Sequence, residues 1–291
     1  MSGETANGRG TREVLFQVKD LHVTYRRPGQ KAVEAVRGVS FDLHAGETLG
    51  IVGESGSGKS TIAKTLMLLQ PSSGGEALFR GKNIAAFTAA ERRQYRRDVQ
   101  MVFQDAVGSL NPRMTIRQAL GEALGKNASS GVRGRQEEEE TTLGGGRGRQ
   151  SPRLLSLIDI VGLSKAVLDQ YPRELSGGQC QRASFARALA VNPKVLVADE
   201  PVSALDVSVQ ARILNLMRDL RRELGLAILL IAHDLSVVRN VCDRVCVMHR
   251  GLFEDAGPAE EVFDHPQSDY TKNLLAAVPD VRRSLAARTP R

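Results

Sequence analysis

Apolar and polar residues alternate near the start of the chain, whereas later apolar residues form short continuous runs. The alternation at Val14–Tyr25 and Val33–Leu43 predicts two strands of an antiparallel sheet, joined by the turn-forming sequence RRPGQ. Continuous apolar runs lie around Leu49–Val52, at Val195–Ala198 and at Leu226–Ala232. Such runs are typical of parallel strands that are covered on both faces. Because helical patterns separate them, the chain is predicted to have an α/β core.

Helical patterns and one further strand fill the segments between these runs. The strongest helix is predicted at Val207–Leu224, where Val209, Ile213, Leu216 and Leu220 share one face. The sequence EALFRGKNI predicts another strand. The other predicted helices are one through Ile62, Leu66 and Leu69, a charged one at Ala89–Arg97 before the apolar run Val99–Phe103, and one at Gly177–Ala190.

Two segments have the composition of regions without a packed core. Residues 1–12 are polar and glycine-rich, which predicts a disordered N-terminal tail. At 125–150, glycine clusters flank four consecutive glutamates, and this low-complexity segment is predicted to be a solvated insertion. A functional role for that insertion is the alternative. No internal repeat is evident, so the α/β unit is predicted to occur once.

Charge, hydropathy and cysteine content limit the cellular location and the binding partners that the sequence favours. The net charge of +7 favours anionic neighbours such as nucleotide, lipid headgroups or nucleic acid, although part of the excess lies in the C-terminal tail. No apolar run approaches the ~18 residues of a membrane span, and no secretory signal is visible, so a cytoplasmic location is expected. Cys180, Cys242 and Cys246 form no metal-binding pattern and are expected to be reduced core residues; Cys242 and Cys246 would share a helix face if that region were helical.

The segment at residues 47–69 contains a candidate phosphate-binding loop, and the rest of the chain is organised around this segment. The loop sequence fits G-x-x-x-x-G-K-[ST], with an apolar strand before it and an amphipathic helix after it. Glycines let successive N–H groups face one anion, Lys59 can reach the β- and γ-phosphates, and the Ser60 hydroxyl can ligate Mg²⁺. A flexible turn is the alternative, but it does not explain the flanking elements. The predicted nucleotide-binding residues here are Gly53, Glu54, Ser55, Gly56, Ser57, Gly58, Lys59, Ser60 and Thr61.

Two carboxylates follow the apolar strand in the sequence VLVADEP. Ligands bind at the carboxyl ends of parallel strands, and Asp199 and Glu200 lie at such an end. Asp199 is predicted to hold Mg²⁺, directly or through water, and Glu200 to act as general base on the attacking water. An ordinary pair of surface acids is the alternative, and the neighbouring phosphate-binding loop makes it less favourable.

The sequence LSGGQ stands immediately before a predicted helix. Ser176 and the N–H groups of Gly177 and Gly178, followed by Gln179, form a second candidate anion cradle at a helix N-terminus. One nucleotide rarely needs two such cradles from one chain, so two chains arranged head to tail are predicted. An N-cap that binds no ligand is the alternative.

The chain also contains SALD and a histidine after a strand, and all these motifs occur in the order found in the ATP-binding subunit of an ATP-binding-cassette (ABC) transporter. The chain resembles such a subunit over most of residues 13–279. The resemblance implies an α/β P-loop NTPase fold with a RecA-like core, an antiparallel β subdomain and a helical subdomain at about 105–190. It places the ATPase domain at 13–257 and implies ATP and Mg²⁺ as cofactors.

The resemblance also implies roles for four further residues. Tyr25 resembles the aromatic residue that stacks on adenine, and Gln104 resembles the glutamine that touches Mg²⁺ and the attacking water and senses the membrane subunits. Asp206 resembles the residue that communicates between two nucleotide sites. His233 resembles the histidine that contacts the γ-phosphate. Glu200, His233 and Gln104 are therefore the predicted catalytic set.

Two stretches are similar to ATPases of the dipeptide, oligopeptide and nickel importers. These are FQDAVGSLNPRMTI and the tail at 258–291. The sequence of the tail is most similar to the second, or F-type, ATPase of peptide systems. This similarity implies three kinds of partner: a second ATPase that forms a heterodimer with this chain, two transmembrane permeases and an external solute-binding protein. It also implies a peripheral location on the cytoplasmic side of the membrane. No nucleic acid is expected as a partner. Ala106 and Cys180 depart from the residues usual in the group.

Two other functions compete with that of a peptide importer. A soluble cassette ATPase of DNA repair or of the ribosome would suit the basic charge, but the chain lacks a coiled-coil insertion and a second cassette. A non-catalytic regulatory ATP-binder is disfavoured by the intact Glu200, Gln104 and His233.

Overall fold

The computed structural model describes residues 12–26, 28–29, 31–128, 151–203 and 205–277. All but the last residue of the predicted N-terminal tail at 1–12, most of the insertion at 125–150 and the end of the C-terminal tail therefore lie outside the described residues. The strands are β1 (Val14–Tyr25), β2 (Val33–His44), β3 (Thr48–Val52), β4 (Gly74–Phe79), β5 (Lys82–Asn83), β6 (Val99–Val102), β7 (Val195–Asp199), β8 (Ala227–Ala232), β9 (Arg244–His249) and β10 (Leu252–Pro258).

The α-helices alternate with these strands. They are α1 (Lys59–Leu66), α2 (Ala89–Asp98), α3 (Ala106–Ser109), α4 (Ile116–Ala128), α5 (Pro152–Ile160), α6 (Gly177–Leu189), α7 (Val207–Leu224), α8 (Leu235–Val241), α9 (Ala259–Asp264) and α10 (Asp269–Ala276). Among the residues that the structure describes, no helix combines the length and the apolarity needed to cross a membrane.

The smaller sheet is antiparallel and has the order β2-β1-β4-β5. It confirms the two strands predicted from the alternation near the start of the chain. The single strand predicted for EALFRGKNI is wrong, because Arg80 (φ 49°) and Gly81 (φ 78°) adopt left-handed conformations and turn the chain back. The segment is instead a tight hairpin of β4 and β5.

The larger sheet forms the centre of the molecule, with the order β10-β9-β3-β8-β7-β6. All its pairs are parallel except that of β9 with β10. Alternate residues of each parallel strand enter two different clusters: Leu229 and Ile231 of β8 pack with the antiparallel sheet and α1, whereas Ile228 and Leu230 pack with the helical region. Burial on both faces explains why these strands read as continuous apolar runs.

Helices α3 to α6 pack together on one side of this sheet, around buried residues such as Leu120, Ile158 and Phe185. Helix α4 continues to Ala128, so the prediction of a loop from residue 125 is wrong for its first four residues. Helix α1 ends at Leu66, because Leu68 takes a positive φ of 58°. Leu69 was predicted on this helix, but it lies beyond its end with 62% of its surface exposed.

The three cysteines are buried and unpaired, as expected for core residues. The shared helix face considered for Cys242 and Cys246 is wrong, because Cys242 follows the last residue of α8 and Cys246 lies in β9. Burial raises the pKa of Cys246 to about 12, which keeps the thiol protonated at neutral pH.

Candidate functional site

The phosphate-binding loop joins β3 to α1, and two of its glycines are required by close backbone neighbours. Gly53 has a φ of 151°, and a Cβ there would lie 2.0 Å from the carbonyl oxygen of Met248 in β9. Gly58 has a φ of 114°, and a Cβ there would lie 2.2 Å from the carbonyl oxygen of Ala35 in β2. Any side chain would therefore displace the loop from the sheet.

Lys59 lies inside the loop. Its Nζ donates hydrogen bonds to the carbonyl oxygens of Gly53, at 2.8 Å, and Glu54, at 2.7 Å. Burial lowers the pKa of Lys59, while the nearby carboxylates of Glu200 and Asp199 act in the opposite direction. The ammonium group is thus held beside two acids and close to the N-terminus of α1, where it can meet a phosphate.

The outer side of the loop is tied to its neighbours by backbone hydrogen bonds. Gly251, in the β9–β10 turn, donates from its N–H to the carbonyl oxygen of Ser57 at 2.9 Å. The carbonyl oxygen of Gly251 accepts a 2.9 Å bond from the N–H of Arg37 in β2. These ties connect the loop to both sheets. They involve main-chain groups, and for that reason no pattern in the sequence pointed to Gly251.

Oxygen donors suited to Mg²⁺ meet where β7 ends and α1 begins. The hydroxyl of Ser60 donates a 2.9 Å hydrogen bond to Oδ1 of Asp199, which is buried. Burial raises the pKa of Asp199; the bond from Ser60 opposes this rise, and the charge of Glu200 adds to it. A hydroxyl and one carboxylate are hard ligands of the kind that hold Mg²⁺ together with phosphates and water. Within the described residues, no group of three or more His, Cys, Asp or Glu could hold a metal by itself, so these two residues fit a cation that shares its ligands with a nucleotide.

The three predicted catalytic residues converge on one carboxylate oxygen. Oε2 of Glu200 accepts a 2.9 Å hydrogen bond from Nε2 of Gln104 and lies 3.3 Å from Nδ1 of His233. Gln104 follows β6, Glu200 follows β7 and His233 follows β8. These are neighbouring parallel strands, so their carboxyl ends meet at one edge of the sheet. Glu200 has a left-handed φ of 46°, and its N–H donates to the carbonyl oxygen of Ile231 at 2.9 Å. Its position is therefore fixed by the backbone as well as by its side chain.

Ser203 is a residue of the candidate site that the sequence reasoning missed. Its Oγ accepts a 3.3 Å hydrogen bond from Nε2 of Gln104 and donates a 3.2 Å bond to the carbonyl oxygen of Glu200. It therefore links the glutamine to the backbone of the catalytic acid. Ser203 stands in the SALD sequence, in which only Asp206 was singled out, and the signal that could have found it is its place in the turn directly after Glu200.

Tyr25, at the end of β1, lies beside the start of α1. Its hydroxyl is 3.3 Å from Oγ1 of Thr61, a residue of the predicted nucleotide site. An open cavity of about 560 Å³ lies next to the loop. It is lined by Thr24, Arg26, Ala32, Val33, Glu34, Ala35, Arg37, Gly56, Arg250 and Gly251, and its three arginines suit an anionic ligand.

The LSGGQ sequence leads into α6, where Gly177 and Gly178 lie close to Leu205 and Val209 of the segment that starts α7. Oγ of Ser176 accepts a 3.3 Å bond from the N–H of Gln179, whose Oε1 accepts a 2.9 Å bond from the N–H of Ser176. Asp206 caps α7 through a 2.9 Å bond from the N–H of Val209. In the described part of the chain, no hydrogen bond joins these residues to the phosphate-binding loop. A single chain thus brings Asp199 and Glu200 to the loop, while no hydrogen bond among the described residues ties Ser176, Gly177, Gly178, Gln179 or Asp206 to it.

The sequence profile of the family described as "ABC transporter" matches residues 36–203, more than half of the chain. The chain belongs to the ABC transporter family. The matched region runs from β2 past β7 and contains the phosphate-binding loop, the LSGGQ sequence and the carboxylates of Asp199 and Glu200. This assignment confirms the resemblance predicted from the order of the motifs.

Relatives and a solved structure agree with this ABC assignment. An oligopeptide transport ATP-binding protein, OppF, of Lactococcus lactis is 45% identical over 273 residues, which are 92% of this chain and 81% of that protein. A dipeptide transport ATP-binding protein, DppF, of the same species is 44% identical over 91% of this chain and 81% of its own length. A dimeric ATP-binding cassette, solved in a post-hydrolysis state with ADP and Pi, is 28% identical, with a TM-score of 0.69 over 84% of this chain and 99% of its own. The predicted fold class is confirmed, and the chain is an ABC ATPase.

Proposed function

We propose that this ABC ATPase powers an importer of oligopeptides or dipeptides from the cytoplasmic side of the cell membrane. The observation that carries the proposal is the meeting of Gln104, Glu200 and His233 at one carboxylate, beside a phosphate-binding loop. The relatives that are similar over nine-tenths of the chain are peptide transport ATP-binding proteins. The meeting of Gln104, Glu200 and His233 speaks against a merely regulatory ATP-binder.

The phosphates of ATP bind to the loop through backbone N–H groups and the partial positive charge of the α1 N-terminus. Lys59 keeps its hydrogen bond to the Gly53 carbonyl, which orients the ammonium group, and turns its other donors to the β- and γ-phosphates, because a charged phosphate is a stronger acceptor than a peptide carbonyl. Tyr25, whose hydroxyl lies 3.3 Å from Oγ1 of Thr61 beside the loop, stacks on the adenine. Mg²⁺, when bound by Ser60 and Asp199, neutralises the charge that develops on the phosphates during transfer.

Hydrolysis transfers the γ-phosphoryl group to water. Glu200 accepts the proton of the water whose oxygen attacks the γ-phosphorus, and the bond to the bridging oxygen breaks, which gives ADP and inorganic phosphate. Gln104 holds one carboxylate oxygen of Glu200 in place, while His233 lies at the same oxygen and faces the γ-phosphate. Because each of the three follows a strand of one rigid sheet, the water meets a base that is already oriented.

A second ATPase chain completes the site. The α6 N-terminus carries the N–H groups of Gly177 and Gly178, while the N–H of Ser176 is bonded to Oε1 of Gln179, and each of two facing chains would supply this turn to the other's nucleotide. Asp206, at the start of α7, lies on the same unpartnered side and joins the two sites. A related but different ATPase is the expected partner, because the sequence of the C-terminal tail resembles that of F-type ATPases.

Contact with the membrane permeases is proposed at the segment around Gln104. Phe103 and Val107 flank it and expose 40% and 49% of their surfaces, which is unusual for large apolar residues beside a catalytic group. A permease loop that covers them could move Gln104 and so couple transport to hydrolysis. An external solute-binding protein would deliver the peptide to the permeases.

Co-purification tests the proposed assembly. The tagged chain would be isolated from detergent-solubilised membranes of its own cells, and the accompanying proteins would be identified. Two multi-spanning proteins and a second cassette ATPase are the expected companions. Recovery only from the soluble fraction, with ribosomes or nucleic acid, would favour a soluble cassette ATPase and contradict the proposal.

A further inference from the structure

One peptide group of the phosphate-binding loop is held from two sides. The carbonyl oxygen of Gly53 accepts the 2.8 Å hydrogen bond from Nζ of Lys59. The N–H of the same peptide group, which belongs to Glu54, donates a 3.4 Å hydrogen bond to the hydroxyl of Tyr270. In a trans peptide the carbonyl and the N–H point in opposite directions. Lys59 therefore holds this group from inside the loop, and Tyr270 holds it from outside.

Tyr270 is itself fixed by the β9–β10 hairpin. Its ring stacks on that of His249, with centroids 4.0 Å apart and planes inclined by 11°, and Nδ1 of His249 lies 3.5 Å from Oε1 of Glu254. Oγ of Ser268, before α10, accepts a hydrogen bond from the N–H of Tyr270, and the N–H of Ser268 donates one to Oδ2 of Asp255, each at 3.1 Å. The ring, its helix and the hairpin thus form one unit, so the hydroxyl is presented to the loop in a fixed place.

Among the described residues, the bonds to Lys59 and Tyr270 are the two hydrogen bonds that hold the Gly53–Glu54 peptide. The next carbonyl, that of Glu54, is bonded to Lys59 and to the N–H of Ser57. Gly53 has a φ of 151°, in a region that glycine enters without steric cost, so rotation of the following peptide meets little resistance from Gly53 itself. Rotation would turn the Gly53 oxygen away from Lys59 and leave the ammonium group with a poorer set of acceptors. A second hydrogen bond on the opposite edge of the peptide resists that rotation, and hydrogen bonds on the two edges of one amide strengthen each other.

We propose that Tyr270 is a positioning residue for the nucleotide site, whose hydroxyl orients the Gly53–Glu54 peptide and so presets Lys59 for the phosphates. The inference rests on the proposed nucleotide site and assigns to the C-terminal helix α10, which lies beyond the family match at 36–203, a part in setting ATP affinity. Tyr270 touches no substrate and acts through the loop. Its loss therefore changes nucleotide binding rather than the chemical step.

The test compares Tyr270→Phe with wild-type full-length chain, since phenylalanine keeps the stack on His249 and removes only the hydroxyl. ATP and ADP binding is measured by calorimetry, and KM and kcat are measured on the purified transporter complex. Loss of one neutral hydrogen bond predicts about three- to tenfold weaker binding of both nucleotides, a KM raised by the same factor and a kcat within about twofold of wild type. Lys272→Ala, an exposed position on the same helix, is the matched control and should leave all four values unchanged.

Two reference variants separate the possible failures. If Lys59→Ala weakens binding but Tyr270→Phe binds like wild type, the positioning role is overturned and the nucleotide site stands. If Lys59→Ala binds like wild type, the nucleotide site itself is wrong. Tyr270→Ala removes the stack as well as the hydroxyl. If Tyr270→Ala weakens binding and Tyr270→Phe does not, the role of the hydroxyl is overturned. A Tyr270→Phe variant with a lower kcat at unchanged KM would overturn it too.

Discussion

The hydroxyl of Ser60 donates a 2.9 Å hydrogen bond to Asp199, and this bond joins the first turn of α1 to the carboxyl end of β7. It is the main favourable contact of a carboxylate that is otherwise poorly solvated, since burial is the largest influence on the pKa of Asp199 and raises it. The fold therefore places a charge where it is costly until a cation binds. Such a charge is expected at a functional site rather than at a site selected for stability.

Asp199→Asn is expected to separate stability from function. The amide keeps an acceptor for Ser60 but removes the buried charge, so the nucleotide-free protein should melt at a higher temperature than wild type at neutral pH. The same change should abolish the Mg²⁺ dependence of ATP binding. Scanning calorimetry and ATP titrations with and without Mg²⁺ measure the two effects. Asp219→Asn, at an exposed position of α7, is the control; a lower melting temperature for Asp199→Asn would contradict the account.

Glu200→Gln should retain ATP binding and lower turnover by at least ~10²-fold, because the amide cannot accept a proton from water. Steady-state hydrolysis and an ATP titration on the same preparation check both halves of this expectation. Glu223→Gln, an exposed acid at the end of α7, should hydrolyse ATP like wild type. Undiminished turnover in Glu200→Gln would remove Glu200 from the role of general base.

Lys59→Ala should weaken ATP binding by roughly 10- to 100-fold, the effect of losing charge-assisted hydrogen bonds to phosphate. Binding is measured by calorimetry on the full chain, beside Lys19→Ala as an exposed lysine of β1. Folding should survive, because Lys59 is a buried charge whose pKa burial lowers. An unaltered ATP affinity would argue against the phosphate-binding role of this loop.

Two glycine substitutions should act in opposite directions. Gly53→Ala would bring a Cβ to 2.0 Å from the Met248 oxygen at a positive φ, and it should lower the free energy of unfolding by at least about 2 kcal/mol. Gly121→Ala, in α4, meets no atom within 4 Å, and it should raise that free energy by about 0.5–1 kcal/mol. Urea unfolding measures both. Similar effects of the two substitutions would show that the loop does not pack against β9 as described.

Glu91 provides a pH test away from the nucleotide. Hydrogen bonds, first from Lys82 and then from Thr88, lower the pKa of Glu91 from 4.5 to about 2. Because the fold favours the ionised form, its contribution to stability is present above pH 4.5 and is lost as the pH falls towards 2. Melting curves between pH 7 and 3.5 should therefore show a difference between wild type and Glu91→Gln that shrinks on acidification. A difference that is constant over this range would contradict the cause given for the shift.

The central sheet and the chemical motifs could be predicted because each has a local signature. Strands buried on both faces leave continuous apolar runs such as Ala227–Ala232, and a phosphate cradle requires glycines at fixed spacing from Lys59. The convergence of Gln104, Glu200 and His233 needed one further step, the order of the motifs in a known family. Their distances are then a consequence of the parallel strands that precede them.

Contacts between distant segments left no such signature. Tyr270 lies 216 residues from Glu54, and a tyrosine in a tail sequence does not reveal which backbone N–H it meets. Ser203 was visible in SALD, but its two partners depend on how the turn after Glu200 folds. Leu69 was placed on α1 from apolar spacing, which does not detect the left-handed residue that ends the helix at Leu66.

The central claim is that hydrolysis at Glu200 powers peptide import, and hydrolysis by the reconstituted transporter tests it most directly. The complex would be placed in proteoliposomes with its solute-binding protein, and ATP hydrolysis would be measured with and without a mixture of short peptides. The account predicts that peptides stimulate hydrolysis and accumulate inside, and that both effects disappear when this chain carries Glu200→Gln. Hydrolysis that ignores peptides, or uptake that persists with Glu200→Gln, would contradict it.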